Sequence, residues 1–180
     1  MQYDIAALMA EATEYGFTHA GALNMEALVF MPEVREMCAV NRCRQYGKNW
    51  TCPPGCGSLE AAAERAAAYT AGMLVQTVGH LEDDFDLETI EAAGAAHKEN
   101  FLRLAERLRG RWPDMLPMGA GGCRVCETCT YPDAPCRFPD RAIPSMEAYG
   151  LWVSKVCEQS NLPYYYGKLT VTYTSCFLFK

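Results

Sequence analysis

Residues 169–179 read LTVTYTSCFLF, a run rich in β-branched and aromatic side chains that suits a closing strand. Residues 72–78, GMLVQTV, suit a second, mostly buried strand. Working outward, FTHAGAL at 17–23 fits a short strand, and 114–120 another. Helical signals lie between them. Ile5, Leu8, Ala12 and Tyr15 share a face ahead of Gly16. Ser58 is a fitting N-cap for the alanine-rich LEAAAERAAAY. Leu87, Ile90, Gly94, His97, Phe101, Leu104 and Leu108 alternate steps of three and four, which predicts a long helix over 86–109 stopped at Gly110. A further helix is expected from Ser145, burying Met146, Tyr149, Val153 and Val156. The expected class is α/β, with α+β as the variant: a small mixed sheet flanked by helices, with two cysteine-rich cluster-binding loops.

The chain has 180 residues, half of them apolar, which suits one domain over 1–180 with enough core to fold without cross-links. Sixteen Lys and Arg face 22 Asp and Glu, a net charge of -6. That balance argues against a nucleic-acid partner, because phosphate recognition needs clustered positive charge. The opening MQYDIAALMAEATEYG lacks the basic start of a secretory signal. The longest uncharged stretch, 66–81, falls short of a membrane helix. A cytoplasmic setting is therefore expected, where ten cysteines serve metal sooner than disulfides.

Eight of the ten fall in two loops, 38–57 and 121–144, expected to form a metal-cluster subdomain. The downstream set lies in GGCRVCETCTYPDAPCRFP: Cys123, Cys126, Cys129 and Cys136, spaced C-x2-C-x2-C-x6-C. Three cysteines at intervals of three let one loop wrap a compact inorganic core, and a cubane iron–sulfur cluster takes four thiolates. Tetrahedral zinc more often uses two separated C-x2-C pairs. Gly119, Gly121 and Gly122 let backbone N–H groups approach sulfur, and Pro132, Pro135 and Pro139 stiffen the return. Many ferredoxin motifs set the fourth cysteine three residues on, next to proline. Here the gap is six and Arg137 follows, so Cys136 closes this site or a neighbouring one.

The upstream set lies in MCAVNRCRQYGKNWTCPPGCG: Cys38, Cys43, Cys52 and Cys56, spaced C-x4-C-x8-C-x3-C. Four thiolates again fit a cubane or one zinc ion, and zinc is the alternative chiefly here. Pro53 and Pro54 predict an extended, stiff backbone between two ligands. Tyr46 and Trp50 are candidates to shield this site from water. Arg42, Arg44, Lys48, Arg124, Arg137 and Arg141 flank the two sets and could offset their charge.

Three blocks in order, CRQYGKNWTCPPGCG, GGCRVCETC and CRFPDRAIPSMEAYG, carry a family resemblance from about residue 30 onward. The chain resembles domain-of-unknown-function family 2284, predicted metal-binding proteins, whose members are similar to small iron–sulfur proteins found mostly in anaerobes. The resemblance implies metal binding through the eight loop cysteines and implies no substrate or reaction. It says nothing of Cys157 and Cys176, which sit among apolar neighbours and read as small hydrophobes. His97 reads as a core histidine, and the acidic run at 82–86 as a helix start. GAGGC leads into cysteines and not into a helix, so it is no dinucleotide loop. Ser145 and Glu147 fit helix capping, with a role facing the cluster loop or a ligand as the other reading.

The functional expectation is a protein with two [4Fe–4S] clusters that transfers electrons to or from a redox partner protein. One alternative is a small-molecule reductase or lyase using a cluster or the cleft beside it, hence an iron–sulfur redox enzyme. Another is a zinc-stabilised interaction module.

Overall fold

The computed structural model describes residues 3–180. Five helices are present among them: α1 (Ile5–Glu14), α2 (Pro32–Ala39), α3 (Leu59–Ala66), α4 (Leu87–Arg109) and α5 (Val153–Gln159). The strands are β1 (His19–Ala22), β2 (Ala71–His80), β3 (Leu116–Met118) and β4 (Thr170–Phe179), in the sheet order β1-β2-β4-β3. Helices and a small sheet combine as expected, but every strand pair is antiparallel, so the sheet is not the mixed one anticipated. Among the described residues the parallel pairing is confined to an isolated bridge between Gly119 and Ser145.

The apolar runs have a simple cause. Both faces of the sheet are covered. On β2, Met73 and Val75 join Phe177 and Phe179 of β4 under α1 and α4. Leu74, Cys176 and Leu178 point the other way, into a second core with α3, α5 and the segment around Tyr149. Full burial of each large side chain contributes about 1.5–3 kcal/mol, so two cores on one sheet give it an apolar sequence without parallel pairing.

Most helix starts follow their caps. The side chains of Asp4, Ser58 and Asp86 accept from the backbone N–H of Ala7, Ala61 and Thr89. One helix has no counterpart in the sequence reading and one expectation is corrected. The stretch 24–57 contains α2, opened by Pro32, whose ring suits a first helical position. The helix expected from Ser145 is two pieces. Ser145 Oγ accepts from Ala148 N–H at 3.1 Å and starts only a 3-10 turn, Glu147–Tyr149. Gly150 then adopts φ 78° and its carbonyl accepts from Met31 N–H at 2.8 Å. A Cβ there would lie 2.4 Å from Leu59 Cδ1 and 3.1 Å from the Met31 carbonyl oxygen. Chain crossing at this glycine outweighs the helical periodicity on either side. Met146, Tyr149, Val153 and Val156 are all buried even so.

His97 stands in the core between β2 and β4. Its Nδ1 is 3.0 Å from Thr77 Oγ1 and its Nε2 is 2.8 Å from Ser175 Oγ, so both ring nitrogens are satisfied by hydroxyls. Burial pushes its pKa down to about 4. The unfolded chain therefore takes up a proton at mildly acidic pH that the folded chain refuses. Stability is full above the ordinary histidine value of 6.5 and falls through the window down to about 4. The loss should reach about 3 kcal/mol, from the slope of about 1.4 kcal/mol per pH unit. Urea denaturation of wild type and His97→Gln across that window checks this: the variant should have a flatter dependence, and equal slopes would contradict it.

Candidate metal centre

The two cysteine loops leave the sheet at neighbouring points. The downstream loop starts where β3 ends, and its neck is closed at Gly119: Gly119 N–H donates to Pro144 O at 2.9 Å, and Met146 N–H donates to Gly119 O at 3.0 Å. The upstream loop runs from α2 to α3. Its neck is spanned by Arg35, whose Nη1 donates to the carbonyl of Gly57 at 2.9 Å.

A buried polar clasp joins the loops. Asn49 Nδ2 donates to Gln45 Oε1 at 3.1 Å. Asn49 Oδ1 accepts from the Thr51 backbone N–H at 3.0 Å and from its hydroxyl at 2.8 Å. Thr51 Oγ1 in turn accepts from Cys123 N–H at 3.2 Å. Asn49 and Thr51 are only 3% and 2% exposed, so these bonds lie out of competition with water. Gly122 is needed for the approach: a Cβ there would come within 3.0 Å of Gln45 Cγ. Trp50 completes the contact, donating from Nε1 to Ala134 O at 3.2 Å and meeting Tyr131 edge-on at 4.9 Å.

Around this clasp lie two hollows. The first is lined by Cys38, Cys43 and Cys52, with Val34, Met37, Arg42, Tyr46, Ser145 and Glu147, and has about 360 Å³ of free space. Cys56 is not among its lining residues; its Sγ donates to Ala148 O at 3.7 Å, while Cys38 Sγ donates to Glu147 O at 4.0 Å. The second hollow is lined by all four downstream cysteines, Cys123, Cys126, Cys129 and Cys136, together with Trp50, Thr51 and Arg137. It is much tighter, with about 20 Å³ free, room for one or two waters. Among the described residues no three His, Cys, Asp or Glu side chains stand close enough to hold a single metal ion.

Two local expectations change. The segment after Cys52 is turned, not extended. Cys56 N–H donates to Cys52 O at 3.1 Å and Gly57 N–H to Pro54 O at 3.1 Å, which returns the chain on itself and brings the two cysteines together. Trp50 was expected over the upstream set. It lines the downstream hollow instead, because the clasp carries its ring across; Tyr46 keeps its place at the first.

Seven of the loop thiols are half-buried and Cys43 is exposed. Burial, with Glu147 and the neighbouring thiols adding to it, pushes Cys38 up to about 11. Burial also raises Cys52 and Cys56. Ionised thiols here need a cation, and a bound metal supplies one by displacing the protons. Two basic residues that the flanking-charge reading missed stand close by. Lys98 of α4 donates to Gly122 O at 2.8 Å, and burial lowers its pKa while Cys123 and Cys52 raise it. Arg35 carries Nε and Nη2 atoms that are buried without any hydrogen-bond partner. Both residues lie outside the cysteine blocks in sequence, and only the spacing of Arg35 three positions before Cys38 could have pointed to it. Of the flanking charges, Arg42 lines the first hollow, and Arg137 the second, donating to Thr128 O at 2.8 Å. Arg44, Lys48 and Arg124 are exposed.

Cys157 and Cys176 are fully buried in the second core, and Gln76 Nε2 lies 3.6 Å from Cys157 Sγ. All ten cysteines are free thiols. No helix among the described residues is long and apolar enough to cross a membrane.

Two thiol-rich loops, each with a hollow lined by its cysteines, are thus held on a small scaffold of helices and sheet. The family model described as predicted metal-binding protein (DUF2284) matches residues 21–179, and the chain belongs to that family. No curated protein and no solved structure matches it.

Removing the Thr51 hydroxyl should loosen the clasp selectively. Thr51→Val leaves Cys123 N–H and Asn49 Oδ1 short of a partner, a cost of about 1–3 kcal/mol. Hydrogen exchange should show faster exchange at Cys123 and unchanged protection in the middle of α4. Uniform loss of protection across the chain would mean that the clasp is not a local device.

Proposed function

We propose that the protein binds two [4Fe–4S] clusters, one in each hollow, and transfers single electrons to or from a redox partner protein. The observation that carries this reading is the disposition of the thiols. The four downstream cysteines ring one hollow, three upstream cysteines line another, and Cys56 adjoins Cys52 through the turn. A cubane takes a thiolate at each of its four iron corners and so needs the sulfurs spread around a core, whereas tetrahedral zinc draws all four to about 2.3 Å from one point. Half-buried thiols with Arg35 and Lys98 nearby suit an anionic centre in particular. When bound, such clusters supply one-electron chemistry at potentials set by charge and by hydrogen bonds to sulfur.

The chain's own residues do the rest. The clasp holds the two hollows side by side, which suits electron passage between them. Trp50, braced edge-on by Tyr131, lines one flank of the second hollow and limits water. That hollow is narrow, so loading it would spread the 123–136 loop. Eight unoxidised thiols suit a reducing cytoplasm.

The roomy first hollow favours a second reading, in which a small molecule enters beside the upstream centre and the protein is a reductase or lyase. Glu147 and Ser145 line that cleft and would be its polar contacts.

Purification without oxygen, followed by iron, sulfide and zinc counts, tests the shared core of both readings. The expected result is about eight iron and eight sulfide per chain, four of each per cubane. Cys126→Ser should remove about half of the cluster absorption. Cys157→Ser should leave metal content unchanged. A colourless chain with about two zinc ions would assign it to the zinc-stabilised interaction modules instead.

A further inference from the structure

Arg35 poses a problem that packing does not solve. Its guanidinium sits at the neck of the upstream loop, held by one bond from Nη1 to Gly57 O. Nε and Nη2 are buried with no partner, and a buried, unpaired cationic donor costs more than an ordinary lost hydrogen bond. Among the described residues no carboxylate pairs with it within salt-bridge distance. Exposed Glu60 feels its charge only weakly. The residue's position is informative. Arg35 precedes Cys38 by three residues on α2, which places both on one helix face, and Gly57 follows Cys56 directly.

We propose that Arg35 is the counter-charge of the upstream centre, its two idle N–H donors turned toward the sulfurs of Cys38 and Cys56 once these are ionised and ligating. The inference rests on the two-cluster reading and adds a division of labour to it. A cation with N–H groups beside the ligand sulfurs stabilises the more negative, reduced state of a cluster and raises its potential. Arg35 acts at one centre because its only neck is the upstream one. The upstream centre is thereby set above the value it would have with thiolates alone, which biases electrons arriving in the protein toward it. Arg35 is a positioning and tuning residue; it touches no substrate.

The test uses the full chain with both centres loaded, in wild type, Arg35→Met and Arg35→Lys. Midpoint potentials are followed by electron paramagnetic resonance during redox titration. The upstream signal is the one that survives Cys126→Ser. Arg35→Met, which keeps much of the side-chain length, should lower the upstream potential by at least 59 mV, a tenfold change in the one-electron equilibrium. The downstream signal should move by much less. Arg35→Lys, which keeps the charge and loses the fork, should recover part of the shift. If the methionine variant no longer retains the upstream centre while the lysine variant does, the charge is needed to hold the anion, and the proposal stands. Unchanged potentials in a fully loaded methionine variant would overturn it, as would loss of the centre and of helix content from both variants, which would assign Arg35 to packing. Absence of iron and sulfide from wild type would overturn the two-cluster reading first, and this inference with it.

Discussion

The hydrogen-bonded clasp from Gln45 through Asn49 and Thr51 to the Cys123 amide is the constraint on which the site depends. Neither cysteine loop has a strand or helix running through its middle, so neither can hold its thiols in place alone. Joined at a buried, water-excluded seam, each becomes a wall for the other. The seam tolerates polar groups because nearly every donor and acceptor in it is used. Trp50, borne on the upstream loop and seated at the downstream hollow, shows the same exchange on a larger scale.

The scaffold below serves this arrangement. Two cores, one on each sheet face, give β2 and β4 the rigidity to present β3 and its outgoing loop at a fixed place. The crossing at Gly150 then ties the two halves of the site together. Met31 bonds to its carbonyl just ahead of α2, Leu59 of α3 packs against it, and the preceding turn offers carbonyl oxygens to Cys38 and Cys56. A regular helix through residue 150 would have withdrawn those carbonyls into its own bonding ladder.

Charge follows the same logic. The chain as a whole is acidic, yet the two basic side chains drawn inward, Arg35 and Lys98, both end beside thiols. Burying a cation is favourable only where an anion meets it. The raised thiols, the idle donors of Arg35 and the membership of a predicted metal-binding family are the observations from which the proposed centre is argued.

Much of this was legible in the one-dimensional pattern. Caps at Asp4, Ser58 and Asp86, the stripe of α4 ending at Gly110, and the β-branched run of β4 are local signals, and local energetics decide them. The spacing of the eight cysteines marked the two loops in the same way, because cysteines close in sequence need only a short turn to line one hollow. Tertiary structure alone decided the antiparallel order of the strands, the break at Gly150, the transfer of Trp50 to the other hollow, and the arrival of Arg35 and Lys98 beside the thiols. Each of these depends on contacts between segments distant along the chain or on how a loop turns, and burial of a charge or crossing of two backbones leaves no periodic trace in the residues that meet.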